Sequence, residues 1–486
     1  MRRLVALLLI PALSLVPGAC RREPQGTVKA IVIGGELKIR DPAAGPLPPG
    51  DSILLQNVAQ GLVRFDAGGN IVPGLAERWN VSDDGLSYIF RIASTKWPDG
   101  QKITAQQVAR LIKRQLAPRS KNSLRDVLGG VEDVVAMTDR VVEIQLVAPR
   151  PNLLSLLAQP ELAILRDGQG TGPFTVAATG SSTEQLKLTR QIAGTDDEET
   201  EREELFLSAG NAAGAIATFA DDKADLVLGG TFIDLPIAEH TKLQRGALRF
   251  DPASGLFGLV PSSNGSRFDS PDARKLLSQA LDRGNFVAVL AVPGLAPRAT
   301  LLEPGLDGMP APTAPAWIGT PLGDRLAPLR SQADRLFGKN KPAIRIALPE
   351  GPGADLLLQE LTRDWGAIGL SVERAPSGGP ADFVLVDEVA PSSSPAWFVR
   401  RFRCGIVAIC DAQADELMDS ARTMPVPAQR YALLAEAAAR IDDAQLFIPI
   451  TAPVRWSLVS RRIQGFAGNR YARHTLTDLE QQPGGN

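Results

Sequence analysis

Histidine is almost missing from this chain. There are two, His240 and His474, in 486 residues, and no cysteine stands near either. A transition-metal site is therefore not expected. The familiar catalytic motifs are missing as well. There is no G-x-S-x-G elbow, no H-E-x-x-H and no Walker A, because Gly338-Lys339-Asn340 lacks both the glycine loop and the following Ser or Thr. Each lone histidine reads as structural rather than as part of a Ser-His-Asp triad. No carboxylate pair stands out at a spacing that suggests glycoside hydrolysis. No enzyme activity and no cofactor are expected. Charge of one sign is also lacking: 52 Lys and Arg face 54 Asp and Glu, a formal net charge of −2. That balance gives no global attraction to nucleic acid.

Long hydrophobic runs are confined to the first twenty residues. Arg2 and Arg3 precede an apolar stretch at residues 4–16, broken by Pro11 and followed by Pro17-Gly18-Ala19-Cys20. At roughly 13 residues it is short of the roughly 20 that a membrane-spanning helix needs, and reads as a secretory signal. The body is expected to be exported and soluble. Loss of Arg2 and Arg3 takes the net charge from −2 to about −4. Cys20 stands where a bacterial lipoprotein carries its acylated cysteine, although Pro17 occupies the usual leucine position. Lipidation of Cys20 is the expectation. The other reading is a plain signal that leaves a free thiol. Cys404 and Cys410 are the remaining cysteines. In an oxidising compartment they form a plausible local disulfide, with two buried thiols as the alternative.

Three other features invite a functional reading. Gly168-Gln169-Gly170-Thr171-Gly172-Pro173 looks like a phosphate-cradling loop, but a strand follows it rather than a helix, so a structural turn is expected. The block Asp196, Asp197, Glu198, Glu199, Glu201, Glu203 and Glu204 reads as a solvated loop or helix end. Arg400-Arg401-Phe402-Arg403 reads either as an anion patch or, preferably, as a solvated face beside the cysteine pair.

The length implies two or three compact units, and the order of elements implies mixed α/β structure. Residues 30–33 read as a buried strand, and residues 86–92 and 141–146 alternate as half-buried strands. Thr104 with Gln107 forms a capping box ahead of Val108, Leu111, Ile112 and Leu116 on one helical face. Ser270-Pro271 opens a helix with Leu276, Leu277, Ala280 and Leu281 as its buried stripe. Residues 298–325 read as one long irregular loop. A β–α–β unit follows from residue 343, then helices at residues 411–422 and 429–442 and a strand at 446–450.

The motifs Pro73-Gly74-Leu75-Ala76-Glu77-Arg78-Trp79, Ser82-Asp83-Asp84-Gly85-Leu86 and Trp97-Pro98-Asp99-Gly100 resemble bacterial extracellular solute-binding family 5, the dipeptide/oligopeptide/nickel-binding group. The same order continues in Gly170-Thr171-Gly172-Pro173-Phe174 and in Phe268-Asp269-Ser270-Pro271-Asp272-Ala273-Arg274 with Ala280-Leu281-Asp282-Arg283. It closes with Ile448-Pro449-Ile450 and Gly465-Phe466. The resemblance implies a two-lobed α/β periplasmic binding protein of the type II, peptide-binding-like class with an extra domain on the first lobe. Lobe one is expected at residues 21–56, 165–250 and 447–486, the extra domain at 57–164 and lobe two at 251–446. The implied function is capture of a peptide-like or other small solute by hinge closure, and delivery to an ABC permease and ATPase complex. A monomer is expected, tied to the membrane only through a lipid on Cys20. Two further readings stand beside this one: a transport-inactive member acting as an envelope sensor or interaction protein, and an exported hydrolase.

One departure bears on the ligand. Peptide-binding members carry W-x-x-D-Y-P-D-P, whose Asp meets the peptide ammonium. Here Pro391 takes that Asp position, Glu388 the Trp position, and Ser392 and Ser394 replace the Tyr and the second Asp. Glu388, Ser392, Ser393 and Trp397 are the candidate ligand-binding residues, with Glu388 either a substitute counter-charge or a surface residue.

Overall fold

The computed structural model describes residues 27–177, 185–193, 200–262 and 266–481. The signal segment with Cys20, and Asp196, Asp197, Glu198 and Glu199 of the acidic block, lie outside the described residues. Glu203 and Glu204 belong to the strand Thr200–Gly210. There they pair across the ladder with Arg190 and Lys187, so this part of the block is neither loop nor helix end.

Two sheets carry the molecule. In the first, Val28–Ile33 is central and runs parallel to Thr200–Gly210 on one side and Leu226–Thr231 on the other. Gln185–Ala193 and Thr175–Val176 extend one flank, and Arg455–Val459 and Leu248–Phe250 the other. In the second sheet Ala343–Ala347 lies parallel to both Ser371–Arg374 and Phe383–Val389. Gly255–Pro261 pairs antiparallel with Phe383–Val389 and with Ile448–Thr451. The sequence places residues 447–486 in the first lobe. The structure instead gives Ile448–Thr451 to the second sheet, where all four residues are buried, and returns the chain to the first sheet at Arg455.

A separate antiparallel sheet of Ala76–Val81, Ser87–Ile92, Val141–Leu146 and Val131–Thr138 falls within residues 57–164. Alternation puts Tyr88, Phe90 and Ile92 into its core, against the helix Ala105–Leu116. Both halves of the capping box are formed at Thr104 and Gln107, which satisfies two N–H groups that the helix start leaves open.

The irregular loop expected at residues 298–325 is shorter than that. A 3-10 turn occupies Ala316–Gly319, and a helix starts at Leu322 and runs to Phe337. Pro321 precedes it and Pro328 sits inside it, which disguised the stripe Leu329, Ala333 and Phe337 that the helix buries. Proline is tolerated near a helix start because the first N–H groups have no intrahelical acceptor, but Pro328 lies beyond that first turn.

The family motifs turn out to hold the frame together. Arg274 is buried and donates to the carbonyl oxygens of Phe268, Asp269, Ala444 and Gln445. Arg283 donates to Pro449 and to Ser278. Both fasten the helix Pro271–Gln279 and the segment after it to the end of the helix Pro427–Asp443 and the following strand. Burial holds both guanidinium groups below their usual range, Arg283 to about 9. The glycine-rich loop is packing rather than a phosphate cradle. A Cβ on Gly172 would stand 2.4 Å from the Val58 carbonyl carbon, and one on Gly170 2.4 Å from the Ala59 Cβ.

Candidate functional site

The chain crosses between the two sheets twice, at residues 251–254 and 452–454. The two sides of the junction differ in chemistry. On the crossing side the contact is apolar: one buried cluster runs from Val227, Phe232 and Leu235 of the first lobe to Phe257, Leu259 and Trp365 of the second. Phe232 meets Phe257 edge to face at 4.8 Å. Asp387 of the second sheet accepts from Arg455 of the first at 2.8 and 3.0 Å. Burial pushes the Asp387 carboxyl above its usual range despite that partner, and Glu388 adds in the same direction.

On the far side hydrogen bonds and an ion pair span the cleft, with Val127 packed against the second lobe's own apolar cluster among them. Asn152 Nδ2 donates to Ser392 Oγ at 3.1 Å, and Gln159 Nε2 donates to the Pro391 carbonyl at 2.8 Å. Arg430 Nη1 donates to the Pro149 carbonyl at 2.5 Å, and Arg150 Nη2 to the Arg422 carbonyl at 2.7 Å. Arg400 forms a two-pronged pair with Asp126 at 2.7 and 2.8 Å. Behind Gln159 stands a first-lobe network: Arg473 donates to Gln159 at 3.0 Å, to Ser52 at 2.6 Å and to Glu161 at 2.8 Å.

The expected ligand residues separate in this arrangement. Ser392 is buried and faces Asn152 across the junction. The Ser393 carbonyl accepts from the Asp307 N–H at 3.0 Å. Glu388 is half-exposed and paired with Arg401. Trp397 packs edge to face on Phe398 inside the second lobe's own core, so it supports the segment from behind. The arginine patch is not a solvated face, since its arginines are paired. Arg400, Arg401 and Arg403 each reach a carboxylate on a different element, and Phe402 is buried. The sulfurs of Cys404 and Cys410 lie at disulfide distance beside them. His474 is buried against Asp251 at 3.1 Å, and His240 caps its own helix through the Pro236 carbonyl at 2.6 Å. Sequence reasoning missed Asn152, Gln159, Arg150 and Arg473. No motif marks them, and their partners lie hundreds of residues away.

A cavity of about 600 Å³ opens on the second lobe alone, between Met309, Trp317, Ala438 and Asp442. Burial, with Asp443 beside it, pushes the Asp442 carboxyl up to about 7. The folded form therefore holds that proton more tightly than the unfolded chain. Its contribution to stability is complete below pH about 4 and is lost as pH rises through about 7. Asp442→Asn retains an acceptor for the Leu301 N–H, which bonds Oδ1 at 2.9 Å, and removes the ionisation. Its gain in stability is expected to grow from pH 4 to pH 8, reaching about 2 kcal/mol after discounting for solvent. Thermal midpoints at both pH values check this, and a gain independent of pH contradicts it.

Among the described residues, no helix is long and apolar enough to cross a membrane, and no group of three or more His, Cys, Asp or Glu is placed to hold a metal ion. Comparison with known proteins gives a match of residues 70–377 to the sequence model of bacterial extracellular solute-binding proteins, family 5 Middle. A probable di/tripeptide-binding protein of Pseudomonas aeruginosa is 23% identical over 86% of this chain and 88% of its own. A probable deoxycholate-binding periplasmic protein of Escherichia coli is 30% identical, but the alignment spans 22% of this chain and 24% of that protein. The crystal structure of Haemophilus influenzae OppA in complex with the peptide RPPGFSPFR superposes with a TM-score of 0.80 at 18% identity, covering 94% of this chain and 99% of that one. The fold is thus the two-lobed α/β architecture of periplasmic peptide-binding proteins.

Proposed function

The chain belongs to the bacterial extracellular solute-binding proteins of family 5, and on that premise we propose that it captures a small solute between its lobes and presents it to an ABC permease and ATPase complex. The observation that carries this reading is the asymmetry of the junction. Apolar contacts at the crossing are costly to open, because each buried Å² is worth about 25 cal/mol. The hydrogen bonds at the far side exchange with water at about 0.5–1.5 kcal/mol each. The lobes therefore part at the rim and pivot at the crossing, the geometry of hinge closure. Opening frees the Pro391 carbonyl and Ser392 Oγ from Gln159 and Asn152, so these are the groups a ligand meets first.

The ligand is a peptide-like or other small solute. With Pro391 where a carboxylate meets the peptide ammonium, Glu388 is the acidic group nearest in the chain, and a ligand amine has to draw it from Arg401. The protein acts as a monomer outside the cytoplasmic membrane and is not an enzyme. A thermal-shift screen across peptides, bile salts, sugars and metal chelates tests the reading: a true ligand raises the melting midpoint by mass action, and failure of every class counts against it. A lipid on Cys20 ties the protein to the membrane. Cys20→Ala is expected to move it from the membrane fraction to the soluble one, and an unchanged distribution refutes the anchor.

A further inference from the structure

The contact between the extra domain and the second lobe holds more positive charge than it uses. A cavity of about 40 Å³ lies there; Leu153, Leu156, Met418 and Leu434 are among the apolar side chains that make up most of its wall, and its polar groups are Arg150, Asn152 and Asp126 on one side and Arg400, Arg422 and Ser394 on the other. Asp126 is the one carboxylate in that lining, and Arg400 already occupies both of its oxygens. Arg150 and Arg430 each reach across to a backbone carbonyl, a neutral acceptor that leaves the charge of the guanidinium unbalanced. Arg430 stands near Arg150 but outside the cavity's lining; it is 2% exposed, and its Nη2 is buried without a hydrogen-bond partner. Burial, with Arg430, Arg400 and Arg422 close by, lowers Arg150 to about 10. Arg403 and Arg125 add positive charge around Asp126, although Arg403 has Asp415 and Asp419 as its own partners.

Closure creates this arrangement. Arg150 comes from the extra domain, whereas Arg400, Arg422 and Arg430 come from the second lobe, so shutting the cleft drives like charges together in a partly dry space. Guanidinium groups hold carboxylate and phosphate oxygens in two-pronged geometry. A cavity of this size takes a few waters or one small head group, and nothing larger. We propose that this cavity is a site for a single oxyanion, a carboxylate or phosphate group, which bridges Arg150 to the arginines of the second lobe and favours the closed form. The proposal rests on hinge closure as the working motion. The anion is either free in the envelope or the acidic end of the captured solute.

The test uses the mature protein with inorganic phosphate and acetate as probes against chloride, at constant ionic strength, reading the radius of gyration by small-angle scattering and the melting midpoint. The expected result is compaction of the parent by phosphate at millimolar concentration, with the midpoint of that response weakened at least about tenfold in Arg150→Gln and again in Arg422→Gln. Arg422→Gln is also expected to close more readily than the parent in chloride alone, because a like charge has gone while the backbone carbonyl that accepts from Arg150 remains. Circular dichroism confirms that each variant is folded. A phosphate response equal in parent and both variants is only the general stabilisation such salts give, and overturns the site. Compaction by a captured solute, with none by phosphate or acetate, overturns the anion site while hinge closure stands. If phosphate and solute compete, the site receives the solute's own acidic group. If their effects add, it receives a free anion.

Discussion

Replacing Arg455 with leucine is expected to cost the folded protein about 3–5 kcal/mol, seen as a large fall in the thermal midpoint. Arg455 leaves the second crossing and holds both oxygens of Asp387, and its other nitrogen donates to the Asp387 carbonyl at 3.1 Å. Without it, a buried carboxylate loses its counter-charge while its desolvation remains. The pH dependence has a definite sign. Burial already holds the Asp387 proton above the usual range, and the substitution raises it further. A raised carboxyl contributes stability at low pH and loses it as pH rises. The deficit of Arg455→Leu relative to the parent is therefore expected to widen as pH rises and to narrow as pH falls toward the ordinary carboxylate range. Adding Asp387→Leu is expected to restore much of the loss, because two apolar groups of similar volume replace the pair. A deficit that is flat with pH and not rescued by the second substitution points to lost packing instead.

Asp126→Asn is expected to act on closure rather than on folding. Arg400 is 8% exposed, and Asp126 is its partner from the opposite side of the cleft. Burial alone pushes the Asp126 carboxyl up, but the hydrogen bonds from Arg400 and the nearby positive charges outweigh it and hold it below its usual range. Asn accepts from Arg400 through one oxygen and brings no charge. The loss falls on the closed form, where it leaves Arg400 beside Arg150 uncompensated. About 2 kcal/mol is expected, allowing for the partial exposure of Asp126, or about thirtyfold in ligand affinity. Titration calorimetry with a ligand from the screen reads it, while the ligand-free melting midpoint moves little. A reversed pattern, with unchanged affinity and a lowered midpoint, makes the pair a folding contact only.

Much of the frame was legible because its signals are local. The capping box at Thr104 and Gln107, the Ser270-Pro271 helix start and the alternation around Phe90 each depend on a few neighbouring residues, and each is formed. The helix Leu322–Phe337 was obscured by Pro328, a local signal pointing the wrong way. The assignment of Ile448–Thr451 failed for another reason: an apolar run states that a strand is buried and leaves open which sheet receives it. The far side of the junction was illegible on the same ground. Asn152 and Ser392 are 240 residues apart, and neither belongs to a motif. Trp397 drew attention as an aromatic next to the ligand segment, yet an aromatic followed by Phe and Val reads equally as core, and that is where it lies. The arginine patch carried a clear charge signal with no indication that Glu388 and Asp419 nearby in the chain and the distant Asp126 answer it.

The most direct test of the account is the radius of gyration in solution, by small-angle scattering, with and without the ligand that most raises the melting midpoint. Under capture by closure, the ligand shrinks the particle in the parent, and Asp126→Asn needs about thirty times more ligand for the same change. A ligand that raises the midpoint while parent and variant keep their ligand-free dimensions would contradict capture by closure.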